Sequence, residues 1–134
     1  MRARHIARSD PTSQARLQLI LVLLAAWDLL AFLLELTNTG LLRIRDIEGV
    51  LGARSVSGAM AVLAIAYLYA ARDPIRHRFV LWLATLEQFV AIFSIGFHWA
   101  RSDLGFAEAA VPMLLAAGFL VLVLTNLPRE TAAI

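Results

Sequence analysis

Three acids and one histidine stand inside otherwise apolar stretches of this chain: Asp28 and Glu35 in LQLILVLLAAWDLLAFLLEL, and Glu87 and His98 in FVLWLATLEQFVAIFSIGFHWA. An ionisable side chain at membrane depth costs about 2.5–3.5 kcal/mol on insertion scales, so each of the four needs a partner or a purpose. Asp28 and Glu35 are seven residues apart, which puts them on one helix face about 10 Å apart along the axis. Glu87, Ser94, His98 and Arg101 follow at spacings of 7, 4 and 3, again a single helical stripe. Counting about 1.5 Å per residue from the inner end of each segment, Asp28 and Glu87 fall at similar depth near the middle, and Glu35 and His98 fall together near the outer edge.

Two polar layers result. The outer one can neutralise itself, because Glu35 can pair with His98, with Arg101 or with Arg54. The inner one has no basic residue at its depth and leaves Asp28 and Glu87 with Gln88, Thr85, Tyr67 and water. Two carboxyls close together in low dielectric cannot both stay ionised, so at least one is expected to be protonated near neutral pH. Such a pair can carry a proton or bind a cation. It can also simply hydrogen-bond one helix to another or to a partner subunit, contributing on the order of 1 kcal/mol each. The second role is favoured, because the sequence shows neither the internal repeat nor the broken helices usual in transporters.

His98 invites comparison with a haem or metal ligand. A bis-histidine haem needs a second histidine at matching depth, but His5 lies in the N-terminal tail and His77 between the second and third apolar segments. With no cysteine in the chain, thiolate metal sites, disulfides and cysteine nucleophiles are excluded as well. The expectation is no metal, no cofactor and no catalytic residue, with His98 paired to Glu35 or solvated at the interface.

The elements that must position these groups are read from composition. Of the 134 residues 60% are hydrophobic and 16% charged, with a mean hydropathy of +0.75. Soluble domains carry about 45–50% apolar and about 25% charged residues, so this surplus of apolar surface calls for an apolar solvent. A helix crossing about 30 Å of hydrocarbon needs about 20 mostly apolar residues, and four segments approach that: Leu17–Leu36, Ser55–Ala71, Phe79–Ala100 and Phe106–Leu127. The second is the weakest. The first is too long for a secretory h-region and has no small-x-small cleavage site before Asn38, so it is expected to be retained.

Thr37-Asn38-Thr39-Gly40, Asp73-Pro74, Asp103 with Gly105, and Pro128 punctuate the segments. Between the first two, LLRIRDIEGVLG has helical apolar spacing and is either a short interfacial helix, the favoured alternative, or an extension of the second span. The expected fold is therefore all-α, a four-helix transmembrane bundle forming one domain over 1–134, preceded by a basic tail over 1–16.

Arginine sets the orientation. Arg2, Arg4, Arg8, Arg16, Arg72, Arg76, Arg78 and Arg129 fall on one side of an even-numbered bundle, and Arg43, Arg45, Arg54 and Arg101 on the other. Eight against four places both termini in the cytoplasm. The sequence pI near 9.9 is then a matter of topology, and nucleic acid is not an expected partner. All twelve basic residues are arginine, read as the codon bias of a GC-rich, bacterial genome and hence an inner-membrane location. Trp82, Trp99, Tyr67 and Tyr69 sit near span ends, as interfacial anchors do.

Gly58, Ala61 and Ala64 give the second span a small-residue surface for close helix packing. Pro112 falls in the first turns of the fourth span, where proline is tolerated; that span is otherwise featureless and faces lipid or a partner. The chain has no dinucleotide fingerprint, phosphate-binding loop, zinc-protease motif, nucleophile elbow or calcium loop. Loops this short leave no room for an extramembrane catalytic domain.

The length, the four spans and the stretch Leu51-Gly-Ala-Arg54-Ser-Val-Ser-Gly58, continuing to Ala71-Arg72-Asp73-Pro74, resemble the DoxX-like group of small bacterial membrane proteins. That resemblance covers about half the chain and carries over no functional residues. It implies an accessory role beside a membrane redox or respiratory complex. The leading expectation is accordingly an accessory or structural subunit, with other membrane subunits, or copies of itself, and the lipid bilayer as partners. The alternative is a small proton-coupled transporter or channel using Asp28 and Glu87. A quinone- or lipid-active membrane enzyme with Glu35, His98 and Arg101 as its acid-base cluster comes third.

Overall fold

The computed structural model describes residues 11–36, 49–102 and 104–127, with the side chains of residues 35 and 49–56 outside the described set. Among the described residues the chain is all-helical: α1 (Pro11–Leu36), α2 (Gly49–Ala70), α3 (Arg78–Ala100) and α4 (Phe106–Asn126). Three of them, α1, α3 and α4, are long and apolar enough to cross a membrane, whereas α2 contributes the shorter apolar stretch Ser57–Ala70.

Helix bounds and apolar bounds differ by more than one residue at two places. α1 starts at Pro11, upstream of Leu17, so the end of the expected tail is helical. Proline suits a first helical position, where its missing N–H would be unbonded anyway. The backbone ladder then continues through Gln14 and Arg16 into the apolar run, and its 26 residues extend about 39 Å, more than the thickness of hydrocarbon. α2 starts at Gly49, upstream of Ser55, so the last part of LLRIRDIEGVLG is continuous with α2. The remainder of that segment lies outside the described residues.

α1 packs chiefly on α2 and α3 chiefly on α4, with sparser α1–α4 and α2–α3 contacts that close a four-membered ring. α1 turns one continuous face inward, Leu17, Ile20, Leu21, Leu24, Ala25 and Asp28, at the 3–4 spacing of a helical stripe. It meets Ala64, Tyr67 and Ala70 of α2, Leu81 and Ala84 of α3, and Val123 of α4 in the main core. α4, which looked featureless in sequence, buries Ala109, Ala116 and Val123 at heptad spacing. A separate, smaller core of Ile95, Leu104 and Ala109, with Met113 against it, joins α3 to α4 at the opposite end.

The turns have local causes. Between α2 and α3, Asp73 Oδ1 accepts from the Arg76 backbone N–H at 3.2 Å, and the Asp73 carbonyl lies 2.9 Å from His77 Nδ1. Pro74 is fully buried beneath them. α3 ends through Ser102, whose φ of 64° is left-handed and whose N–H returns to the Trp99 carbonyl. Glu108 caps α4: its Oε2 accepts from the Gly105 N–H at 3.0 Å. Pro112 lies inside α4, beyond its first turn.

Candidate functional site

The inner polar layer assembles inside the ring. Asp28 from α1 is 1% exposed, Gln88 from α3 is 3% exposed, and Tyr67 from α2 is fully buried. Glu87 is partly buried beside them. The Tyr67 hydroxyl donates to Glu87 Oε2, which also receives Gln88 Nε2 at 3.2 Å. Asp28 and Glu87 are close enough for their charges to act on each other, and both act on Tyr67. α1 and α3 are diagonal in the ring, so Asp28 and Glu87 stand on helices whose backbones do not pack against each other.

Each member is where it is because of helical phase. Asp28 continues the buried α1 stripe after Leu24 and Ala25. Gln88 follows Leu81 and Ala84 on the buried α3 face, and Glu87, one residue earlier, projects from its edge toward α2. Tyr67 lies three residues after Ala64 and three before Ala70, all three buried. Tyr67 is thus an internal hydrogen-bond donor and not an interfacial anchor, whereas Tyr69 is exposed and stacks edge-on with His77 at 4.8 Å. Thr85 takes no part, since its hydroxyl donates to the Leu81 carbonyl of its own helix at 2.9 Å.

The donors are distributed unequally. Glu87 Oε2 receives two hydrogen bonds. Asp28 Oδ2 is buried and has no hydrogen-bond partner among the described residues. A buried polar atom without a partner is uncommon and calls for a physical account.

The outer layer is described only in part. His98 is partly buried, with its ring edge-on to Phe97 at 5.6 Å, and Arg101, exposed at the α3 C-cap, holds its guanidinium 5.5 Å from the same ring. Glu35 and Arg54, their expected partners, have side chains outside the described set. Ser94, of the same stripe, is exposed.

In the α2 small-residue surface Ala64 is fully buried and Ala61 partly so. Gly58 has nothing within 4 Å of where a Cβ would stand. An apolar groove of about 410 Å³ runs between α3 and α4 at the end of the smaller core, lined by Ile92, Trp99, Phe106, Met113 and Leu114 among others. No protein-family model, curated protein or solved structure matches the chain.

Proposed function

We propose that this chain is a multi-pass protein of a bacterial cytoplasmic membrane, crossing it four times with both ends in the cytoplasm, and that it serves as an accessory subunit of a larger membrane complex. The observation that carries this is the outward face of the helices. Phe79, Phe93, Phe106 and Leu114 are each more than 70% exposed, and Val62 and Ile65 about two-thirds, on helices from three sides of the ring. Contiguous apolar exposure on that scale marks a membrane or protein interface. Eight arginines against four support the orientation. The minimal loops and the resemblance to DoxX-like proteins support a subunit working beside a redox or respiratory complex.

A mild-detergent pull-down of the tagged protein from its own membranes, followed by mass spectrometry and an absorption spectrum, tests the proposal. Stoichiometric companion polypeptides are the expected result. A stable, solitary chain would overturn it. Cysteines introduced at exposed loop positions, labelled from either side of sealed vesicles, test the topology separately.

The buried meeting of Asp28 and Glu87 favours a second reading, proton-coupled transport. It predicts that Asp28→Asn and Glu87→Gln abolish proton flux in reconstituted vesicles while the chain still folds; unchanged flux in both removes it.

A further inference from the structure

We propose that Asp28 and Glu87 form a proton-binding site inside the bundle, in which Asp28 is the protonated member. Two carboxyls that act on each other at low dielectric hold one negative charge at most. Tyr67 and Gln88 decide where it sits, because both donate to Glu87 and neither donates to Asp28. The independent observation is Asp28 Oδ2 itself: the residue is 1% exposed, and this buried oxygen has no hydrogen-bond partner among the described residues. An ionised carboxylate so placed would bury a charge with no donor beside it, which costs far more than burying a neutral carboxyl with an unpaired polar atom.

Among the described residues nothing else around the pair supplies compensating charge. α2 faces it with Tyr67 and α3 with Glu87 and Gln88, while α4 contributes Val123 and Phe119 to the adjoining core. The one titratable side chain described on α4, Glu108, is engaged at the far end as a helix cap. Arg16 lies three turns below Asp28 on α1 and is exposed. No third histidine or carboxylate joins the pair among the described residues, so a proton suits the site better than a multivalent metal ion. Glu87, partly exposed on the sparsely packed α2–α3 side, is the member through which the proton enters.

The test is dicyclohexylcarbodiimide labelling of the full-length protein in detergent, with peptide mass spectrometry. This reagent adds to protonated carboxyl groups in apolar surroundings. The expected result is one adduct per chain, on Asp28, with a rate that falls as pH rises. Asp28→Asn should abolish it. Glu87→Gln removes the neighbouring charge and should cut labelling at neutral pH about tenfold, the ratio that one pH unit produces. Absence of an adduct in a chain that remains helical would overturn the proposal. So would two adducts per chain, or a Glu87→Gln profile identical to wild type. Protection by sodium but not by choline would also overturn it and reassign the site to a cation. Labelling in detergent is independent of partners and topology, so its failure is distinguishable from failure of the accessory-subunit proposal.

Discussion

The two ends of this molecule are built differently. Where α1 begins and α2 ends, all four helices contribute to one core, from Leu17 through Tyr67 and Leu81 to Val123, and the polar cluster sits at its upper margin. At the other end the described buried set comes from α3, α4 and the turn between them, and an apolar groove opens beside it. The polar residues follow the packing. Asp28, Gln88 and Tyr67 are sealed beside the large core, while His98 and Arg101 stand at the looser end with aromatic contacts. Buried carboxyls need a rigid, dry frame to stay coupled, and among the described residues the end with the large core supplies it.

If that contrast is real, truncation should cost far more at one end. Tyr67→Ala removes the largest fully buried side chain and a donor to Glu87, and should destabilise the bundle by about 3–4 kcal/mol. Ile95→Ala, in the smaller core whose Ala109 and Met113 also line the groove, should cost about 2 kcal/mol, the low end for such a truncation, because that site can relax into open space. Unfolding of both variants in mixed micelles, followed by circular dichroism, checks the ratio. Equal losses would break the comparison.

Tyr67→Phe sharpens it by keeping the ring and deleting only the hydroxyl. Interhelical hydrogen bonds in membrane proteins average about 0.6 kcal/mol, so a loss of about 1 kcal/mol is expected in the same assay. A loss near that of Tyr67→Ala would mean that the hydrogen bond to Glu87, and not packing, holds α2 against α3.

At the looser end, Ser102→Gly should stabilise the chain by about 0.5 kcal/mol, because a left-handed φ of 64° disfavours a side chain. Glu108→Ala should cost a similar amount by freeing the Gly105 N–H. Thermal melts of the two variants should move in opposite directions.

What could be read from the sequence separates along the same lines. Height along the helices could be read: hydropathy located the apolar runs, counting about 1.5 Å per residue set Asp28 level with Glu87, and the structure bonds Tyr67 and Gln88 to Glu87. Rotation could not. Whether Asp28 faces the axis or lipid depends on which helices meet, and its inward phase is set by the Leu17–Ala25 stripe packing on α2. The same blindness put Tyr67 among the interfacial anchors, since its proximity to a span end says nothing of the side it faces. It also kept Thr85 among the partners of the acids, although a hydroxyl on a helix can always turn to the carbonyl four residues back. The spacing of Ala109, Ala116 and Val123 was a signal in plain view, masked by an α4 apolar on every side. The role of Glu108 was open to detection too, as an acid at the third position after Gly105.

The smallest expected effect bears on the small-residue surface. Small residues in membrane helices are usually explained by close backbone approach, in which case Gly58→Ala would push two helices apart. Yet a Cβ at Gly58 meets nothing within 4 Å, whereas at Gly96 it would stand 3.5 Å from the Met113 side chain, an ordinary contact. Gly58→Ala should therefore be neutral or raise stability by a few tenths of a kcal/mol through helix propensity. Ala64→Leu, which drives three more carbons into a fully buried position of the main core, should cost about 2 kcal/mol. A marked loss in Gly58→Ala alone would mean that α2 approaches its neighbour most closely at its α1-proximal start, and would move the rigid part of the bundle away from the Asp28–Glu87 cluster.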